Sequence, residues 1–392
     1  MNPTKRWHIS QINKLGIISL LSCFATAAVA TVFAIYLDSF VNNPAYVGFI
    51  TALFTIIGIA SYILLTPLIE KSNKTNLYAL SILIYIISYF LFALFPFLPV
   101  IIILGIIISI VGSLRITLFG IIFRDKTKDN SVSKNEGIIY TISNISWLIS
   151  PIIAGLIASK YGIQKVFIFS AVIFLIVSIC LRILKIKDTR KTKKTDKNFF
   201  KLSRDFFKNK DRVKAYFIGG GIDFWWALIY IYIPIYLFEQ GFSTKIIGYF
   251  LGAVVIPLIL IEYSVGKFAG KKGFKKLFVV GYLIMGFAVL LAFFTPNIYL
   301  ILLILVLASF GAGMLESTTE AYFFDCINEK QRDKFYGLYN TTGELNAFIG
   351  RAIPAVILLF LPFKSIFIFF GIAMFIFAFI SSRAREVIEN KR

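Results

Sequence analysis

Long runs of apolar residues, separated by short polar gaps, occupy almost the whole chain. Each run contains about twenty or more mostly apolar residues, the length that an α-helix needs to cross the hydrocarbon core of a bilayer. The apolar residues are continuous rather than alternating, which favours helices over the strands of a membrane barrel. We therefore expect an all-α polytopic membrane protein. Its twelve predicted spans, numbered 1 to 12 in chain order, are 14–38, 45–69, 76–96, 98–123, 136–158, 163–184, 213–238, 244–266, 275–295, 297–324, 335–359 and 363–382.

Lysine and arginine residues lie mostly in every second gap between these runs. Twelve spans place both termini on one side of the membrane, and that side carries 35 of the 41 basic residues, whereas the other side carries four. By the positive-inside rule, the basic side is expected to be cytoplasmic. We therefore expect a multi-pass protein of the cell membrane (plasma or inner membrane) with both termini cytoplasmic, and we expect span 1 to be retained rather than cleaved as a leader.

The net charge of +21 raises the question of nucleic-acid binding. The basic residues flank the spans, however, so their expected partners are membrane lipids and not nucleic acid. The single histidine, His8, and the cysteines Cys23, Cys180 and Cys326 have neither metal-binding nor disulfide spacing. The sequence also contains no phosphate-binding loop of the kind found in ATP-driven pumps. We expect a monomer that is not an enzyme and that needs no cofactor or metal.

The two halves of the sequence match at a constant shift of 200 residues. Matching polar and glycine positions are Gly48 and Gly248, Asp125 and Asp325, Gly137 and Gly337, and Thr141 and Thr341. Such a duplication predicts two six-helix bundles, related by an axis along the membrane normal, with a binding site near the midplane where they meet. We expect an N-terminal bundle at 1–184, a basic cytoplasmic linker at 185–212 and a C-terminal bundle at 213–392.

Three short motifs accompany this repeat. The basic loop GKFAGKKGFKK, between spans 8 and 9, begins at Gly266 and includes Gly273 and Lys275. Its counterpart between spans 2 and 3, TPLIEKSNKTN, contains Glu70 and Lys74. Span 5 contains SWLISPIIAG, in which small residues allow close helix approach and a proline can bend the helix.

Together, the topology, the repeat and these motifs resemble the major facilitator superfamily over essentially the whole chain. The family's signature loop reads roughly G-x-x-x-D-x-x-G-R-K. Gly266, Gly273 and Lys275 stand at matching positions, Phe274 stands at the arginine position, and Glu70 stands at the acidic position of the other loop. The resemblance implies the major facilitator fold, secondary active transport, gating loops at these motifs, and a central cavity lined by spans 1, 4, 7 and 10.

Two features also resemble the proton-coupled drug antiporters of this family. SWLISPIIAG is similar to a small-residue variant of their span 5 motif, and Arg115 is similar to their span 4 arginine. The residues that accompany this arginine in the antiporters differ here, because Leu118 and Phe119 stand where glutamine and glycine are expected. The resemblance implies that Arg115 faces the central cavity together with Asp223 and the acids of span 10.

Ionisable side chains inside a bilayer cost ~2.5–3.5 kcal/mol or more, so a functional role is their default interpretation. At 1.5 Å per residue, Arg115, Asp223, Glu316 and Glu344 lie at one depth near the midplane, to within about a helical turn. Glu320 lies four residues after Glu316 and is expected on the same face of span 10. An ion-pair network that only fixes helix packing is the alternative interpretation.

Further candidates lie on spans 5, 7, 8 and 11. Asn340, Glu344 and Arg351 are predicted to form one stripe on span 11. Weaker candidates for binding a substrate are Trp226, Tyr230, Asn340 and Asn144, and Glu262 is expected to reach the membrane interface from span 8.

Five acids, Asp223, Glu262, Glu316, Glu320 and Glu344, face only two arginines inside the membrane. Not all five can be paired and ionised, so some are expected to gain and lose a proton. This favours proton-coupled efflux of lipophilic or cationic small molecules by alternating access. A proton-coupled symporter that imports a polar or anionic nutrient through Arg115 and Arg351 is the alternative within the fold. A membrane sensor or scaffold that no longer transports is the alternative of another class.

Overall fold

The computed structural model describes residues 11–127, 132–184, 186, 199–327 and 329–386. All regular elements in these ranges are helices. They form twelve spans, some made of consecutive helices, that are long and apolar enough to cross a membrane, which confirms the predicted fold class. The spans are Gln11–Val41, Pro44–Tyr62, Lys74–Leu94, Leu98–Lys126, Thr141–Tyr161, Ile163–Ile183, Lys210–Glu239, Thr244–Lys272, Lys275–Phe294, Ile298–Asp325, Phe335–Phe360 and Ser365–Ser382. We call the side that carries the chain termini the terminal side, and the other the distal side.

Three spans of the C-terminal half are interrupted. Span 7 consists of α-helices Lys210–Ala227 and Ile233–Glu239 joined by a π-helix, Leu228–Tyr232. Span 10 breaks between Ile298–Glu316 and Thr319–Asp325, and span 11 breaks between Glu329–Tyr339 and Thr341–Phe360. At the span 10 break, the hydroxyl groups of Ser317 and Thr318 donate to the carbonyl oxygens of Gly313 and Met314. Such bonds compete with the backbone ladder of the helix and often bend it.

The two halves meet along two seams, one between spans 5 and 8 and the other between spans 2 and 11. In the first seam, a Cβ atom added to Gly248 would lie only 2.3 Å from the carbonyl oxygen of Pro151 and 3.0 Å from the Cα of Gly155. A glycine is required here because the two backbones are in direct contact. Gly248 lies near the distal end of span 8, so this seam is closed toward the distal side.

The second seam reproduces the first at a shift of 200 residues. A Cβ atom added to Gly48 would lie 2.7 Å from the Cβ of Ala355 and 3.2 Å from the carbonyl oxygen of Arg351. Positions 48 and 248, 155 and 355, and 151 and 351 each differ by 200. The repeat seen in the sequence thus extends to individual backbone contacts between the halves.

The described part of the linker contains a short helix, Phe199–Phe207. Phe206 is buried among the rings of Tyr216, Phe323 and Phe335, with centroid distances of 5.7–6.2 Å. The guanidinium group of Arg212 lies 4.2 Å from the centroid of Phe335. These contacts attach the linker helix to the terminal-side ends of the C-terminal half. The boundaries expected for the linker and the two bundles remain predictions.

The loop predicted from Gly266 is mostly helical, because Gly266 lies within the last turns of span 8. The actual turn is Gly273, which adopts φ 88°, followed by Phe274. Phe274 is buried and packs against the ring of Tyr322. Its counterpart 200 residues earlier, Lys74, is also buried but is basic. An aromatic contact therefore fixes this turn where the family's loop has an arginine. Lys275 begins span 9, and Glu70 lies in the short helix Thr66–Lys71.

Candidate functional site

Four carboxyl groups of the C-terminal half occupy one layer of the bundle. At 1.5 Å per residue, Asp223, Glu262, Glu316 and Glu344 lie about 24–27 Å along their helices from the distal ends. The seam contacts at Gly48 and Gly248 are only about 6 Å from those ends by the same measure. The carboxyl layer is therefore separated from the distal side by closely packed backbone.

Span 7 presents one face to the space between the halves. Asp223, Trp226 and Tyr230 are partly exposed and fall at steps of three and four residues, whereas Trp225 beside them is 0% exposed. Toward the terminal side, span 7 packs through three consecutive glycines, Gly219 to Gly221, against side chains of spans 9 and 11. Asp223, Trp226 and Tyr230 follow these glycines, and their partly exposed face can meet a ligand.

Glu316 lies at the centre of an aromatic–acid group, which consists of Glu262, Glu316, Trp147, Trp226 and Tyr230. The indole of Trp226 approaches the Glu316 carboxyl group, and Glu262 lies within electrostatic range of it. The ring of Tyr230 lies 5.6 Å from that of Trp226 and 5.0 Å from that of Trp147, which belongs to the N-terminal half. Both halves therefore contribute to a surface that combines carboxylates with aromatic faces.

Asn144 connects this group to span 5. Its side-chain nitrogen donates a hydrogen bond of 2.9 Å to Glu262, and Asn144 is only 6% exposed. The expectation that Glu262 extends to the membrane interface was wrong, because its carboxyl group crosses the seam between spans 5 and 8 instead. The fold thus joins Asn144 and Glu262 by a hydrogen bond that the sequence did not predict.

A second group surrounds Arg351 on span 11. Asp223 and Glu344 lie within electrostatic range of Arg351, and the Asp223 carboxyl group packs against Gly343. The Arg351 guanidinium group donates to the hydroxyl of Thr55 and, at 3.3 Å, to the carbonyl oxygen of Thr51, both in span 2. Among the described residues, no carboxylate oxygen comes within 4.0 Å of it. Arg351 is therefore used to join the halves rather than to neutralise one acid directly.

Arg115 lies against aromatic rings of its own half. Its guanidinium group lies 5.2 Å from the ring centroid of Tyr85 and 5.9 Å from that of Phe174, both inside the N-terminal half. The described part of the chain places no carboxylate within ion-pair distance of it. Aromatic faces attract the cation here. Arg115 is half-buried and, about 26 Å from the distal end of span 4, lies at the depth of the carboxyl layer, so its role at the central cavity stays a prediction.

Glu320 is separated from Glu316 by the break in span 10. It lies in the next helix, Thr319–Asp325, rather than in one unbroken helix with Glu316, and it accepts a 2.5 Å hydrogen bond from the hydroxyl of Tyr336. Asn340 lies at the break before Thr341–Phe360 and is exposed, so the predicted stripe is reduced to Glu344 and Arg351. The two breaks thus remove Glu320 and Asn340 from the carboxyl layer.

Sequence reasoning did not identify Trp147, Thr51, Thr55 or Tyr62 as members of the site. Tyr62 lies within electrostatic range of both Glu344 and Arg115. The shift of 200 residues was the available signal, since it pairs Tyr62 with Glu262. The whole arrangement offers carboxylates, hydroxyls and aromatic faces between two halves, which suits binding of a cation and exchange of protons.

The chain matches the family model of the Major Facilitator Superfamily at residues 15–273 and 259–391. It is 24% identical over 219 residues to an uncharacterised MFS-type transporter of Methanocaldococcus jannaschii. That alignment covers 55% of this chain and 56% of the relative, so the chain spans about half the length of the curated relative it matches.

Solved transporter structures have the same fold. A bacterial homologue of the human lysosomal transporter Spinster, inward-facing and unoccupied, gives a TM-score of 0.75 at 14% identity and covers 95% of this chain and 96% of that one. A POT family transporter in complex with 5-aminolevulinic acid gives 0.78 at 15% identity, covering 94% of each chain. The nucleoside transporter NupG gives 0.74 at 15% identity, covering 96% of this chain and 99% of its own. The chain belongs to the major facilitator superfamily and is a multi-pass membrane protein.

Proposed function

We propose that this transporter exports lipophilic cations in exchange for protons by alternating access, with its terminal side in the cytoplasm. The aromatic–acid group carries this proposal. It places Glu316 and Glu262 beside the rings of Trp226, Tyr230 and Trp147 at the junction of the two halves. Carboxylates attract a positive charge, and aromatic faces bind the apolar and cationic parts of the same molecule.

The balance of charge supports a cationic ligand. Four acids occupy the carboxyl layer, and Arg351, the basic side chain that the described residues place near them, already donates to Thr51 and Thr55. Arg115 is covered by rings of its own half. An anionic nutrient, the substrate of the alternative symporter, would therefore need a cation that this arrangement does not present.

The acids also supply the proposed coupling. A carboxyl group that binds a cation must be ionised, and protonation removes the charge that attracts the ligand. A proton and an organic cation thus compete for Glu316 and its neighbours, so proton entry from one side releases the cation there. The closely packed distal seams, at Gly48 and Gly248, restrict access to the terminal side in this structure.

The proposal is tested with purified protein in proteoliposomes, using tetraphenylphosphonium as the probe. An imposed pH gradient is expected to drive its accumulation in the compartment with more protons, and Glu316→Gln, Asp223→Asn and Glu344→Gln are expected to reduce that accumulation. Tyr263→Phe is the matched control, because Tyr263 is 82% exposed and lies beside Glu262 outside the seam.

Three results would reject the proposal. Cation accumulation that survives all three substitutions would show that these carboxyls are not needed. Gradient-driven accumulation of an anionic or neutral solute, with no response to tetraphenylphosphonium, would favour the symporter. Binding and flux of no solute under any gradient would favour the sensor or scaffold.

A further inference from the structure

One hydrogen bond crosses the seam between spans 5 and 8 within the carboxyl layer. Asn144 of the N-terminal half donates to Glu262 of the C-terminal half at 2.9 Å, and Asn144 is 6% exposed. Asn144 lies 11 residues, or about 16 Å along the helix, on the terminal side of the backbone contact at Gly155. The bond therefore joins the halves in the region that must separate when the terminal side opens.

The other seam carries the symmetric counterpart of this contact. The residue 200 positions after Asn144 is Glu344, and the residue 200 positions before Glu262 is Tyr62. Tyr62 and Glu344 lie within electrostatic range of each other across the seam between spans 2 and 11. Each seam thus places one carboxyl group of the C-terminal half opposite one neutral polar side chain of the N-terminal half.

We infer that Asn144 is a positioning residue that holds the carboxyl group of Glu262 across the seam between spans 5 and 8, and so couples occupancy of this carboxyl group to separation of the halves. An ionised carboxylate is a strong acceptor for an amide or phenol donor. A ligand that neutralises Glu262 weakens the bond from Asn144 and leaves a buried amide poorly satisfied, which favours opening of the seam. The inference concerns how the halves are held and rests on the proposed function only for the identity of the ligand.

The experiment measures the distance between the halves without any substrate, so its outcome is independent of what is transported. Spin labels are placed at the exposed, symmetry-related positions Lys71→Cys and Lys271→Cys, with Cys23, Cys180 and Cys326 replaced by alanine. Asn144→Leu and Glu262→Leu are each expected to shift the ratio of long to short distances by about tenfold or more, as for loss of a hydrogen bond to a charged group. Tyr263→Phe is expected to leave the ratio unchanged.

Two further variants separate a positioning role from general damage. The double variant Asn144→Leu/Glu262→Leu is expected to shift the ratio no further than either single variant, because both remove the same bond. Asn144→Asp/Glu262→Gln exchanges the donor and the acceptor of this bond and is expected to restore the short distances. Where Asn144→Leu fails to fold, Asn144→Ser, which cannot reach Glu262, takes its place.

The inference is overturned if Asn144→Leu or Asn144→Ser leaves the distance distribution of the wild type. It is equally overturned if the effects of the single variants add, or if the pair with exchanged donor and acceptor does not restore the short distances in a protein with a wild-type melting temperature. None of these results bears on cation transport, whereas a failure of tetraphenylphosphonium accumulation with a normal distance response would reject only the proposed function.

Discussion

In the N-terminal half, the half-buried basic residue Arg115 lies against a tyrosine and a phenylalanine ring, and the position 200 residues later is the apolar Leu315. In the C-terminal half, the acids Asp223 and Glu316 enter the carboxyl layer, and their counterparts are Cys23 and Ile116. The ionisable chemistry of the two halves therefore differs at every one of these positions.

The backbone contacts between the halves, by contrast, are nearly the same in both seams. Gly48 meets Ala355 and the carbonyl of residue 351, just as Gly248 meets Gly155 and the carbonyl of residue 151. A symmetric scaffold lets the two halves rock about a common axis, while the asymmetric side chains confine ligand chemistry to one half and its border. The backbone contacts that hold the halves together are therefore formed by other positions than the ligand-binding side chains, and the bond from Asn144 to Glu262 connects the two sets.

The largest effect is expected from removing a charge from the acidic, C-terminal half. Glu316→Gln should reduce gradient-driven accumulation of tetraphenylphosphonium to the level seen without a pH gradient, because Glu316 is central to the aromatic–acid group. The measurement is radiolabelled uptake into proteoliposomes with a pH jump.

Ile116→Gln is the matched control in the other half, since Ile116 is the counterpart of Glu316 and is 54% exposed. It should retain accumulation, because no ligand group depends on this position. Equal losses in the two variants would show that the halves share the chemistry and would refute the asymmetry.

The next largest effect should be the same in both halves. Gly248→Leu and Gly48→Leu place a side chain where the backbone of the other half lies within 2.3–3.2 Å. Overpacking of this kind costs ~1–3 kcal/mol or more, so both variants should populate a distal-open state and lose about 10- to 100-fold in transport rate. Accessibility of a cysteine on the distal side to a membrane-impermeant maleimide measures the opening.

Gly266→Ala is the control for these glycine variants, because Gly266 lies in span 8 with nothing within 4 Å of its added Cβ. Its transport rate should equal that of the wild type. If Gly248→Leu opened the distal side and Gly48→Leu did not, the two seams would not be equivalent. This result would contradict the proposal that the two halves move about a common axis.

Most of the fold could be predicted from the sequence, because span length and apolar content are set by the bilayer itself. The shift of 200 residues also pairs Gly48 with Gly248, and these two glycines make equivalent backbone contacts in the structure. The layer shared by Asp223, Glu316 and Glu344 followed from counting residues along continuous helices.

The contacts of individual side chains could not be predicted in the same way. The breaks before Thr319 and Thr341 depend on side-chain hydroxyls that bond backbone carbonyls of the preceding turn, and this alternative is open to any serine or threonine in a helix. The direction of Arg115 depends on rings contributed by spans 3 and 6, which are distant in sequence. Periodicity describes one helix at a time and says nothing of which neighbour fills the space beside it.

A smaller effect is expected from exchanging a residue between the halves. Arg115→Leu gives the N-terminal half the residue that the C-terminal half has at this position. Each cation–π interaction that this substitution removes is worth about 0.5–2 kcal/mol, but removal of a buried charge without an ion-pair partner offsets this cost. The free energy of unfolding should change by less than about 2 kcal/mol, and the apparent affinity for tetraphenylphosphonium should stay the same. A loss of affinity without a loss of stability would restore Arg115 to the binding site.

The smallest effect is expected at Glu320, which the break in span 10 separates from the carboxyl layer. Glu320→Gln keeps an oxygen that accepts the hydrogen bond from Tyr336, so stability should change by no more than about 1 kcal/mol. Gradient-driven accumulation of tetraphenylphosphonium should match that of the wild type in the assay that detects the loss in Glu316→Gln. If Glu320→Gln instead abolishes accumulation, the two carboxyls act together as an unbroken helix would require. The break at Ser317 and Thr318 would then not separate Glu316, which takes part in transport, from Glu320, which has only a structural role.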